Sequence, residues 1–189
     1  MKIRDLAESS GYSLQGSFTH DLTTSKVWLL QQLARIAPQV GTVYVLGSWY
    51  GNISLYMALM PMLKHGKIIN VERDHSMLKQ SERMLHHVGD RSTEHMLADA
   101  NDVDYRQLGR DGVVINTSLT DMPGRAWFDH IPAGTLVAMQ ARDHDPGQQF
   151  DSTQDILDKF PLDRVLYEGS LDLRDPETQY TRFMVIGQK

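Results

Sequence analysis

Two glycines, Gly47 and Gly51, enclose Ser48, Trp49 and Tyr50 between the apolar runs VYVL and NISLYMALM, and a later run, KIINVE, closes on an acid, Glu72. A strand that enters a helix through small residues brings backbone N–H donors and a helix N-terminus close to a ligand, an arrangement that suits a carboxylate or phosphate. An acid at the end of the next strand, roughly twenty residues on, is placed to accept hydrogen bonds from ribose hydroxyls. The pattern therefore predicts an adenosine-type ligand. Gly47, Ser48, Trp49, Tyr50, Gly51 and Asn52 would surround it, and Glu72, with Arg73 beside it, would meet its ribose. Two plainer readings remain open: a tight turn that holds nothing, and a solvated Glu72 paired with Arg73 or Lys67.

Residues 43–52 resemble the nucleotide loop of class I S-adenosylmethionine (SAM)-dependent methyltransferases, in which an acid and three alternating glycines follow the first strand. Two positions depart from that loop. Val45 stands where the family usually carries an acid at the cofactor's methionine end, and Trp49 stands at the middle glycine. The dinucleotide-binding fingerprint fits less well, because it requires Gly-x-Gly-x-x-Gly. The ending, RVLYEGSLDL, a break at Asp175 and Pro176, then TQYTRFMVIGQK, reads as a hairpin and is similar to the antiparallel last strand of the same methyltransferases. The resemblance spans residues 42–189. It implies SAM as cofactor, with Asp99 and Ala100 at the adenine amino group, where Asn101 or Asp102 could substitute. It also implies that Asn116, Thr117 and Ser118, after the fourth strand, border the methyl acceptor. These three residues do not form the Asn/Asp-Pro-Pro-aromatic motif of enzymes that methylate amide or ring nitrogens, and they could equally cap the next helix.

Further candidates lie beyond the fifth strand and on the first helix. Gln140 would contact the acceptor and His144 could act as general base, since an unperturbed histidine titrates near 6.5. Lys26 could meet the cofactor's carboxylate and Trp28 could wall the acceptor pocket, although a solvated lysine and a core tryptophan fit as well. His86 and His87 are adjacent on a helix and cannot share a face, so no metal site is expected.

The elements that must position these residues alternate. Thr24 or Ser25 is expected to cap a helix whose Leu29, Leu30, Leu33, Ile36 and Ala37 share a face, ended by Pro38 and Gly41. TVYVLG, KIINVE, EHMLAD, DGVVINT and TLVAMQ read as strands. NISLYMALM, a run capped by Asp74, PGRAWFDHI and DSTQDILDKF read as helices. Alternation closed by a hairpin predicts a doubly wound α/β fold: a mostly parallel seven-stranded sheet with helices on both faces and a C-terminal antiparallel hairpin, preceded by an N-terminal helical cap. Residues 1–40 would form the arm and covering helix, and residues 41–189 the binding fold, within a single compact domain.

A chain of 189 residues suffices for one full core. Its net charge of −5 argues against a broad basic surface, so no nucleic acid partner is expected. The lack of cysteine excludes thiolate chemistry and fits a reducing cytoplasm. No apolar run reaches the roughly twenty residues of a membrane span. The ten methionines read as core filler. The expected function is methyl transfer from SAM to a small-molecule acceptor. The alternatives are another SAM reaction, such as aminocarboxypropyl transfer or SAM cleavage, and a non-catalytic SAM-binding or regulatory module.

Overall fold

The computed structural model describes residues 14–122, 124–143, 150–175 and 178–189. A helix, α1 (His20–Ile36), leads into a two-residue strand, β1 (Gln39–Val40), and then β2 (Val43–Leu46). The chain continues through α2 (Asn52–Leu59), β3 (Lys64–His65), β4 (Ile68–Glu72), α3 (His75–His87), β5 (Thr93–Leu97) and β6 (Val113–Asn116). It closes with α4 (Ala126–Asp129), β7 (Leu136–Arg142), α5 (Thr153–Lys159), β8 (Arg164–Arg174) and β9 (Gln179–Gln188). Seven strands form one sheet in the order β5-β4-β2-β6-β7-β9-β8, while β1 and β3 pair separately as a short parallel clip.

β2, β4, β5, β6 and β7 run parallel, and β9 inserts antiparallel between β7 and β8. The expected doubly wound sheet and closing hairpin are present. Their cause is visible in the strands: VYVL and VVIN are buried throughout because helices cover both faces. Tyr44, Leu46 and Val114 face a core built around Trp127, Phe128 and Phe160, whereas Val43, Val45 and Ile115 face Leu29, Leu30 and Leu33 of α1. After β2 the chain builds outward to β5, then returns to lay β6 on the other side of β2. That reversal opens a crevice at the carboxyl ends of β2 and β6, where open α/β sheets bind ligands.

The start of α1 differs from expectation. The helix begins at His20 with Thr19 as its cap, and Thr24 and Ser25 lie inside it. Their hydroxyls find other partners: Thr24 Oγ1 donates to the His20 carbonyl at 2.6 Å and Ser25 Oγ to Gln140 Oε1 at 3.1 Å. The added turn is anchored by tertiary contact, because the Tyr180 hydroxyl donates to buried Asp21 at 2.6 Å. Asp74 caps α3 as expected, accepting from the N–H groups of Ser76 and Met77.

Candidate functional site

The glycine turn is built from left-handed backbone. Gly47, Trp49 and Gly51 have φ of 56°, 52° and 74°, and Trp49 is the single non-glycine residue with positive φ among the described residues. The tryptophan therefore adopts the conformation that glycine takes at low cost. The turn is held from β4: Ser48 N–H donates to the Val71 carbonyl at 2.9 Å and Trp49 N–H to Glu72 Oε2 at 2.8 Å. Glu72 Oε1 accepts from the Asp74 N–H at 3.0 Å, so this carboxylate braces both the turn and the entry to α3. The plainer pairing of Glu72 with Lys67 does not occur; Lys67 forms an ion pair with Glu94 at 2.8 Å.

Beyond the carboxyl ends of β2, β4 and β5 lies a cavity of about 550 Å³, within the roughly 300–1,000 Å³ of small-molecule sites. Gly47, Trp49, Glu72, Arg73, Asp99 and Ala100 line it, joined by Asp74, Met77, Asn101 and Met122. Asp99 caps a short turn by accepting from Asn101 N–H at 2.8 Å. A second cavity of about 240 Å³ adjoins the first, sharing Gly47, Trp49, Ser118 and Asp121. Lys26, Val45, Ser48, Asn52, Thr117, Arg142 and Arg182 complete much of its wall. Asn52 is buried and its Nδ2 donates to the Ser17 carbonyl, tying the start of α2 to the segment before α1.

Five expected site residues line neither cavity. Tyr50 is buried with Leu55, Met84 and Leu85, because the tight turn aims it at α3. Gly51 serves packing: a Cβ there would fall 2.1 Å from Ser81 Oγ. Asn116 is fully buried at the end of β6, where its Oδ1 accepts from Ser118 N–H at 2.9 Å and shapes the loop from inside. Gln140 is fully buried as well, and both ends of its amide are engaged by Ser25. Trp28 cannot share a direction with Lys26, since two residues on a helix turn by about 200°; it packs edge-on against Tyr167, with ring centroids 6.3 Å apart. His144 lies outside the described residues.

Two arginines of the second cavity were not among the expected site residues. Arg182 carried a sequence signal: it stands in phase with Tyr180, Met184 and Ile186 in a largely apolar strand, so a charge occupies a buried position. Burial pushes the Lys26 ammonium down to about 8, with the Arg182 charge adding to the effect and Asp21 opposing it. Burial opposes ionisation of Asp21 too, yet hydrogen bonds from Tyr180 and the backbone hold its carboxyl below the ordinary value. Among the described residues no group of three or more His, Cys, Asp or Glu is arranged to hold a metal, and no helix is long and apolar enough to cross a membrane.

No protein-family model matches the chain, and no curated protein matches it in sequence. Solved structures do match. The N-terminal domain of EvdMO1, solved with SAH bound, is 14% identical with a TM-score of 0.63, over 100% of this chain and 97% of that one. The magnesium protoporphyrin IX methyltransferase from Synechocystis PCC 6803, solved with SAM bound, is 10% identical with a TM-score of 0.65, over 98% and 89% of the two chains. An rRNA methylase from Streptococcus thermophilus is 17% identical with a TM-score of 0.57, over 91% and 99%. At these identities the likeness concerns architecture, and the architecture is unambiguous: this chain has the fold of the class I SAM-dependent methyltransferases.

Proposed function

We propose that the chain binds SAM in the larger cavity and transfers its methyl group to a small-molecule acceptor in the smaller one. The observation that carries this reading is Glu72. It closes β4 at the cavity wall, and its two carboxylate oxygens hold the turn at Trp49 and the entry to α3, leaving lone pairs for ribose hydroxyls. Asp99, Ala100 and Asn101 would meet the adenine, and Gly47 and Ser48 the methionine end. When bound, SAM supplies a methyl group already activated by its sulfonium. The protein's part is then to align the acceptor and exclude water. Trp49, shared by both cavities, and the Thr117 and Ser118 loop are positioned for that task. Residues 41–189 would carry the binding fold and residues 1–40 its cover, within one domain. The acidic net charge and the small size of the second cavity favour a small acceptor over RNA, and a chain without cysteine fits the reducing cytoplasm.

Calorimetric titration of SAM into the purified protein is the test, and saturable binding is expected. Glu72→Ala should weaken it by roughly ten- to a hundredfold, the worth of charge-assisted hydrogen bonds at about 1.4 to 3 kcal/mol. Unchanged affinity in this variant removes Glu72 from the ribose role. Product analysis then separates the reactions, because methyl transfer yields S-adenosylhomocysteine and attack on the neighbouring carbon yields methylthioadenosine.

A further inference from the structure

Arg142 and Arg182 stand directly opposite each other on the antiparallel pair β7 and β9. Like charges in that register destabilise a sheet, and Arg182 is only 5% exposed. The Tyr180 ring offsets part of the cost, with the two guanidinium carbons 4.7 and 5.7 Å from its centroid. It does not remove the charge. The Nε of each arginine has no hydrogen-bond partner, and neither has the hydroxyl of Ser48, which is 7% exposed in the same cavity wall. Lys26 of α1 reaches this cavity as a third cation.

Asp21 keeps its negative charge under the Tyr180 hydroxyl and acts on both Lys26 and Arg182, but it does not line the cavity, whose wall sets the three cations against one acid, Asp121. The cofactor's methionine end would make matters worse, since it brings an ammonium and a sulfonium against a single carboxylate. Holding one buried and two half-buried cations beside a bound cation is tenable when an anion completes the site.

We propose that the second cavity is an oxyanion site, and that the methyl acceptor is a small molecule bearing two or more negative charges as carboxylate or phosphate groups. This inference rests on the SAM reading of the adjoining cavity for the word acceptor, and on the side chains of Lys26, Ser48, Arg142 and Arg182 for the anion. Guanidinium forks match either oxyanion in bidentate fashion, so the probes must distinguish carboxylate from phosphate.

Citrate and pyrophosphate are titrated calorimetrically into the full chain, each with and without saturating S-adenosylhomocysteine. At least one should bind saturably. Arg142→Gln and Lys26→Met should each weaken that probe by about tenfold or more, while the affinity for S-adenosylhomocysteine persists. Arg182→Met, which removes the buried charge facing Arg142, should raise the melting temperature in probe-free buffer. If that variant does not fold, the parent supplies the same evidence: its melting temperature should rise with the probe and not with chloride at equal ionic strength. The proposal is overturned if neither probe binds, or if binding survives the substitutions. It is also overturned if the variants lose S-adenosylhomocysteine instead, because the cations would then serve the cofactor's own carboxylate. Loss of S-adenosylhomocysteine binding by the parent alone, with Arg142-dependent probe binding intact, refutes the cofactor reading and leaves the anion site standing.

Discussion

Trp49 shows how a single residue can satisfy a backbone requirement by a different route. Its φ of 52° costs an L-residue roughly 1–2 kcal/mol, which its half-buried ring, 4.9 Å from that of Tyr50, helps to offset. Trp49→Gly should relieve the strain while losing the packing, so stability should stay within about 1 kcal/mol of the parent. SAM affinity or turnover should change far more, because Trp49 lines both cavities. A collapse of folding with affinity intact would make Trp49 a core residue. Lys26 offers a second test at this scale. Its folded value of about 8 lies below the ordinary 10.5, so between these values the unfolded chain keeps a proton that the folded chain has released. Stability of the ligand-free protein should therefore rise with pH across that window, and affinity for an anion should fall as pH passes about 8. Urea unfolding on either side of that pH checks the first trend, and Lys26→Met should abolish it.

Among the elements, α3 and β4 hold the turn in place through a buried polar chain. Ser54 Oγ donates to Asn70 Oδ1 at 2.5 Å, Asn70 Nδ2 to Ser81 Oγ at 3.1 Å, and Ser81 meets His95 Nε2 at 3.2 Å. Gly51 sits against this chain, which explains why it must lack a side chain although it touches neither cavity. Gly51→Ala would combine a φ of 74° with a contact of 2.1 Å to Ser81 Oγ. A destabilisation of about 2–4 kcal/mol is expected from left-handed strain plus overpacking, measured by denaturant unfolding. A loss of SAM affinity without loss of stability would return Gly51 to the ligand. The helix α1 teaches a related lesson: its hydroxyls look like caps in the sequence, yet Ser25 pairs with Gln140, a residue 115 positions away that was expected at the acceptor.

For the molecule as a whole, the two cavities lie where the sheet reverses direction at β2, so a ligand there contacts both halves of the fold. SAM at about a hundred times its Kd should stabilise the protein by roughly 2.7 kcal/mol if it binds the folded state alone. A melting temperature insensitive to SAM would refute that coupling. The fold was legible in the sequence because its signals are local: apolar runs buried on both faces, glycine turns, the Asp74 cap and the break at Asp175 and Pro176 between the final strands all follow from neighbours in the chain. The same is true of Gly47, Glu72, Asp99 and Ala100, whose place is set by the ends of strands. What only the tertiary structure decided is direction and company. Asn116, Gln140 and Tyr50 stand at the right ends of their elements, but packing turns their side chains inward. The cationic wall was hidden for the same reason, since Lys26, Arg142 and Arg182 come from α1, β7 and β9 and meet only when the hairpin inserts β9 beside β7. A periodic pattern reports which face of an element is apolar; which distant charges share a cavity depends on strand order, and that is a property of the assembled sheet.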